Sequence, residues 1–200
     1  MNLLSSYFIT LVVKERDDDT QRLFQVRVDE NAYGCLDCVV SIARLKGFQE
    51  EEHTLSPRQD PSFDVGELPD WPSDDDIKDS RRFYLVEGPE LVKTEWIQTY
   101  LELAVYTNDR FVLEADLCKL EVVKVAMETS NVEWPMERLN AREATVYIWF
   151  KGLAIRGAGQ DVERKAIVRR VLDESTGYLS LKGDLCSREE DLDNTRLSWI

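Results

Sequence analysis

The chain has few of the residues on which common catalytic sites depend. It contains one histidine, His53, and four cysteines in 200 residues. A Ser or Cys nucleophile would need that single histidine as its base, and no GxSxG sequence accompanies it. Four scattered cysteines do not form the disulfide framework of a small secreted protein. The composition therefore argues against triad hydrolysis and predicts reduced thiols, no cofactor and a protein that is not an enzyme.

Long hydrophobic runs are also missing. The longest apolar stretch near the N-terminus, residues 8–13, is interrupted by Thr10 and followed at once by the charged residues 14–17. A membrane-spanning helix requires about 18 apolar residues. A secretory signal would need a basic region before the stretch and small residues after it. We therefore expect a cytoplasmic protein without membrane contact, in which this stretch is a first strand.

Positive charge is in deficit. The chain has 25 Lys and Arg residues against 39 Asp and Glu residues, a formal net charge of -14. This is the wrong sign for binding a phosphate backbone through counterion release, so direct nucleic-acid binding is not expected. The hydrophobic fraction of 43%, with 5 Trp, 7 Tyr and 7 Phe, is nevertheless large enough to build a folded core.

The acidity is concentrated between residues 50 and 80. This window holds eleven acidic residues against Arg58 and Lys78, together with four of the six prolines. Prolines and a lack of periodic apolar positions predict a long, largely irregular segment. We interpret the chain as a single domain over residues 1–200 that carries this acidic segment within it.

The flanking sequence predicts a mixed fold. Residues 7–14 and 22–29 are rich in β-prone residues and are separated by a polar turn, which predicts a hairpin. Apolar residues at helical spacing predict a helix over about 33–46, ending before Gly47. A second helix is predicted over about 89–104, beginning at Pro89. The β-rich stretches after residue 145 predict a C-terminal antiparallel meander, so the expected class is α+β with two main helices.

Two short motifs bear on chemistry. Cys35 and Cys38 form a CxxC pair, which can lower a thiol pKa or supply two zinc ligands. Cys118, Cys186 and His53 do not complete a paired zinc set, and two buried small residues explain the pair more simply. No metal site is predicted.

The acidic segment carries the functional hypothesis. Large apolar residues are embedded in it, and Trp71 lies between Pro69 and Pro72. Acidic side chains can steer a basic partner, while an aromatic anchor supplies desolvated contact area. The predicted partner-binding residues are Glu50, Glu51, Glu52, Asp70, Trp71, Asp74, Asp75, Asp76 and Asp79. A second choice of surface is the aromatic meander around Tyr147 and Trp149.

In its acidity, its size, its α+β pattern and tryptophan-bearing segments such as residues 94–96 and 132–135, the chain resembles the small acidic immunity proteins of bacterial toxin systems. The resemblance implies stoichiometric binding of a cognate toxin, with a basic nuclease as the partner. Three alternatives remain open. These are a phage- or plasmid-encoded anti-defence inhibitor, a DNA mimic, and a small enzyme that uses carboxylates with a divalent metal.

Overall fold

The fold was analysed in a computed structural model that describes residues 4–14, 21–45, 66–86, 88–91, 94–129, 135–153, 159–173 and 177–186. Its main feature is one antiparallel sheet of eight strands. The strands are β1 (Ser6–Lys14), β2 (Gln21–Glu30), β3 (Leu36–Leu45), β4 (Phe83–Val86), β5 (Glu121–Thr129), β6 (Glu143–Lys151), β7 (Arg164–Asp173) and β8 (Tyr178–Cys186). Their order across the sheet is β1-β2-β3-β8-β7-β6-β5-β4.

The helices of the described residues are short. They are α1 (Gly88–Leu91), α2 (Glu95–Asn108), α3 (Glu114–Leu117) and α4 (Pro135–Leu139), with a 3₁₀ turn at Asp76–Lys78. The α+β class with two main helices is therefore wrong, because the molecule is mostly an antiparallel sheet. The helix predicted over 33–46 is strand β3, and the region 89–104 is divided between α1 and α2.

Strand β3 is the clearest correction. Residues 36–45 have apolar positions that also fit a helix, but they pair with β2 on one side and β8 on the other. Leu36 and Cys38, two residues apart, both point into the core beneath α2. The β-branched residues Val39 and Val40 suit this paired position. Pairing on both sides decided the conformation over helical spacing.

One face of the sheet is covered by α2. Its buried residues are Ile97, Tyr100, Leu101, Ala104 and Val105, which follow the spacing of one helical face. They pack on two adjoining clusters drawn from β3, β5, β6, β7 and β8. The helix lies over the central strands and leaves β1 uncovered, since all nine residues of β1 are exposed.

The opposite face is covered by residues 66–80, which we call the acidic strap. Leu68, Trp71 and Ile77 of this strap pack with Tyr147 and Trp149 of β6. The alternate residues of β6, Val146, Ile148 and Phe150, face the α2 side. Strand β6 is therefore buried on both faces, which explains its almost continuous apolar sequence.

Candidate interaction surfaces

The predicted partner-binding residues divide into two groups. Glu50, Glu51 and Glu52 lie outside the described residues. The remaining six belong to the acidic strap, where Asp70, Asp74, Asp75, Asp76 and Asp79 are exposed and Trp71 is half-buried. Contact of these five aspartates with another protein remains a prediction.

Trp71 packs on its own sheet. Its ring lies edge-on to Tyr147 and Trp149, with centroid distances of 5.4 Å and 4.7 Å. Lys165 Nζ lies 4.9 Å from the centroid of the indole ring. The same packing buries Tyr147 and Trp149, at 0% and 6% exposure, so neither forms the open aromatic surface proposed as a second choice. The aromatic anchor serves the fold of this chain.

Several strap aspartates have local hydrogen-bond partners. Ser73 donates from both its N–H and its Oγ to Asp76 Oδ2, and the N–H of Asp76 donates back to Ser73 Oγ at 3.1 Å. These bonds hold the pKa of Asp76 below its ordinary value, because they favour the ionised carboxylate. Lys78 Nζ donates to Asp75 at 2.7 Å. These local hydrogen bonds thus also help to order the 3₁₀ turn of the strap.

The described part of the chain shows neither an activated thiol pair nor a metal site. Burial raises the pKa of the Cys38 thiol to about 11 and also raises the pKa of Cys35. A reactive CxxC pair requires a lowered thiol pKa, so these two thiols lack that property. Among the described residues, no three His, Cys, Asp or Glu side chains are grouped as a metal site requires. No described helix is long and apolar enough to cross a membrane.

A cavity of about 270 Å³ lies between the strap and β4. It is lined by Ile77, Phe83, Tyr84 and Arg138 among others. The Arg138 guanidinium is buried, and it donates to the backbone oxygens of Ser80 and Arg81. Its donors therefore face the chain itself, and the volume is below the range typical of small-molecule sites.

The edge strand β1 is the surface that sequence reasoning missed. Its exposed residues Tyr7, Phe8, Ile9, Leu11, Val12 and Val13 make it apolar on both faces, and Phe8 is 81% exposed. Protein edge strands are usually blocked by charges, prolines, bulges or a covering element. Strand β1 has no proline and a single charged residue, Lys14, at its end. The apolar run was visible in the sequence, but its place at the edge depends on the distant β3–β8 pairing.

The pairing with β2 determines which β1 residues direct their N–H and C=O groups outward. Glu30 N–H donates to Ser5 O at 3.0 Å, directly before the paired register of Ser6 with Asp29. Hydrogen-bonded pairs alternate along antiparallel strands. The N–H and C=O groups of Tyr7, Ile9 and Leu11 therefore face β2, whereas those of Phe8, Thr10 and Val12 face away from the sheet. No described strand pairs with that outer side.

Side-chain contacts join β1 to β2 and join β2 to the loop after α2. Ser6 Oγ donates to Asp29 at 2.6 Å, and Arg27 also donates to Asp29. Arg110, from the loop after α2, donates to Glu30 at 2.7 Å. The two ionised groups of this last pair are well shielded from solvent. These contacts hold the Ser6 end of β1 against Asp29 and the end of β2 against Arg110.

The sequence and the fold match known plant proteins. The family model described as Protein MS5 matches residues 68–181. The chain is 43% identical over 98% of its length to UPF0725 protein At3g19520 of Arabidopsis thaliana, and 44% identical over 92% to UPF0725 protein At1g23960. It spans 67% of the length of each of these relatives and 57% of UPF0725 protein At1g02770.

A solved structure has a similar fold. The crystal structure of MS5 from Brassica napus matches 91% of this chain and 80% of its own chain, with a TM-score of 0.70 and 27% sequence identity. The resemblance to bacterial immunity proteins, and the function of toxin neutralisation that it implied, are therefore wrong. Acidity and size had carried that resemblance, and neither is specific to one family.

Proposed function

The chain belongs to the MS5 family of plant proteins, with UPF0725 proteins among its relatives, and we propose that it is a non-catalytic protein-binding module. In this proposal, strand β1 pairs with a β-strand of another polypeptide. The observation that carries the proposal is the nine-residue edge strand, in which six apolar residues are exposed over both faces and whose outer backbone pairs with no described strand.

Strand addition suits this edge for two reasons. Unpaired N–H and C=O groups provide affinity through main-chain hydrogen bonds, and alternate side chains provide specificity. The outward groups of Phe8, Thr10 and Val12 supply the first, and the apolar side chains of the strand supply the second. An apolar edge of this length left open would favour nonspecific aggregation, so a cognate strand is its expected occupant.

Among the described residues, the rest of the fold covers the central sheet and leaves β1 exposed. Helix α2 covers one face of the central sheet and the acidic strap covers the other. Both elements are engaged within the chain, whereas β1 lies beyond them at the edge of the sheet. The large negative charge of the whole chain opposes nonspecific association, which leaves β1, with Lys14 as its single charged residue, as the place where another protein can approach.

Photo-cross-linking tests the proposal. A photoreactive phenylalanine analogue replaces Phe8 in the protein expressed in its native tissue, and cross-linked peptides are identified by mass spectrometry. The expected product joins position 8 to a defined peptide of a protein. The matched control places the analogue at Phe111, which is 91% exposed but lies in a loop. Cross-links from Phe111 without any from position 8 would overturn the proposal.

A further inference from the structure

Resting on this proposed function, we propose that the strand that pairs with β1 is β1 of a second copy of the same chain. The two strands run antiparallel about a twofold axis at Thr10. The eight-stranded sheets of the two copies then continue into one another across the axis. An interface of this kind uses the same patch on both copies, so the patch must complement itself.

The backbone phase permits this pairing. Under twofold symmetry about Thr10, Phe8 of one copy lies opposite Val12 of the other, and Thr10 lies opposite its own equivalent. These are the residues whose N–H and C=O groups face away from β2. The outward groups of both copies therefore meet as hydrogen-bonded pairs along the strand. A shift by one residue would place inward-facing groups at the interface and lose these bonds.

The side chains match in the same register. Tyr7 lies opposite Val13 of the second copy, and Ile9 lies opposite Leu11. The pairs next to the axis are thus aromatic with β-branched or aliphatic with aliphatic, the combinations that stabilise antiparallel sheets. This register also uses all nine residues of β1, from Ser6 opposite Lys14 at either end. Registers centred on Phe8 or Val12 would leave part of each apolar strand uncovered.

Charge selects the antiparallel direction. Lys14 is the single charged residue of β1, and a parallel arrangement in register would set the two lysines side by side. In the twofold arrangement they lie about 26 Å apart, at a rise of about 3.3 Å per residue. Each lysine then lies opposite Ser6, whose hydroxyl binds Asp29.

The salt dependence of association distinguishes a second copy from a basic partner protein. Two copies, each with a net charge of -14, repel one another at long range, and salt screens this repulsion. Self-association through an apolar edge should therefore tighten as ionic strength rises. Association with a basic protein would weaken under the same change.

Sedimentation equilibrium of the full chain tests the pairing through two exposed positions. The variants Phe8→Glu and Val12→Lys each place a charge opposite an apolar residue, and symmetry makes each change act twice. We expect each single variant to raise the dimer dissociation constant by about tenfold or more. The double variant Phe8→Glu/Val12→Lys places opposite charges together across the interface, so we expect it to recover most of the lost affinity.

A proline substitution tests the backbone hydrogen bonds, and an alanine substitution at the same position is its matched control. Thr10→Pro removes an N–H that faces away from β2, whereas Thr10→Ala keeps it, so only the proline variant should dissociate the dimer. Near-ultraviolet circular dichroism of the aromatic cluster around Trp71 reports whether each variant retains its fold.

The outcomes separate this inference from the proposed function. A wild-type dimer that dissociates in the single variants and reforms in the double variant supports β1 self-pairing. A dimer insensitive to all of these changes overturns it. A chain that stays monomeric to about 100 µM, while position 8 cross-links to a different protein, overturns self-pairing and leaves the proposed function in place. A monomer without cross-links from position 8 overturns both.

Discussion

Trp71 lies edge-on against Trp149, with 4.7 Å between the ring centroids and 81° between the ring planes. This contact joins the acidic strap to the centre of the sheet, and edge-to-face aromatic pairs add stability beyond the area they bury. The indole that the sequence offers as a partner-binding anchor thus has a structural role within this chain.

Removal of the Trp71 side chain should destabilise the fold. We expect Trp71→Ala to lower the free energy of unfolding by about 3 kcal/mol, because it opens a cavity beside Tyr147 and Trp149. Phe111→Ala is the control, since this ring is 91% exposed and should cost less than about 0.5 kcal/mol. Urea unfolding followed by circular dichroism measures both. Equal stabilities of the two variants would contradict the packing role.

Glycine substitutions should show a graded effect. At Gly152, with φ +99°, a Cβ would lie 2.0 Å from the carbonyl oxygen of Lys119. Gly34 also has a positive φ, but the space around it is open, and Gly159 has open space without a positive φ. We expect losses of stability of more than about 2 kcal/mol for Gly152→Ala and about 1 kcal/mol for Gly34→Ala. Thermal unfolding of all three alanine variants, with Gly159→Ala nearly unchanged, checks this order.

The carboxyl group of Asp76 should titrate below its ordinary pKa of 3.8, because Ser73 donates two hydrogen bonds to it. A lowered folded-state pKa contributes stability above pH 3.8 that is lost as the pH falls through the folded value. Ser73→Ala should move the pKa of Asp76 back toward 3.8. Carbon-detected NMR titration of the side-chain carboxyl resonance measures it, and an unchanged pKa in Ser73→Ala would contradict the assigned cause.

Buried cysteines should be alkylated more slowly than exposed ones. Burial raises the pKa of Cys38 and of Cys186 to about 11, and Asp184 adds to the effect at Cys186. Alkylation uses the thiolate, so the rates at these two residues should increase about tenfold per pH unit up to about pH 11. Cys118 is exposed and should be modified first. Mass spectrometry of partially alkylated protein reports the order, and early modification of Cys38 would contradict its buried position.

The sequence predicted local elements better than their arrangement. The hairpin predicted over residues 7–14 and 22–29 is confirmed as β1 and β2, which pair antiparallel in a continuous register. The apolar spacing of residues 96–104 coincides with α2, although the helix begins at Glu95 after Thr94 bonds back to Glu90 and Leu91. Both signals depend on neighbours close in sequence.

Long-range pairing accounts for what could not be predicted. Residues 36–45 fit two periodicities, and contacts with β8, more than 130 residues later, select the strand. The same pairing places β1 at the edge of the sheet. The local sequence of a proline-flanked tryptophan is the same whether the ring binds another protein or its own sheet. The packing of Trp71 therefore became evident only in the tertiary structure.

Residue-resolved amide exchange of β1 shows whether association occurs through the outer backbone groups of this strand. The protein is measured by NMR at low and at high concentration, so that association is the variable. We predict that association protects the amides of Phe8, Thr10 and Val12, which face away from β2, and leaves those of Tyr7, Ile9 and Leu11 unchanged. Association that protects residues elsewhere and leaves Phe8, Thr10 and Val12 exchanging as in the monomer would contradict the account.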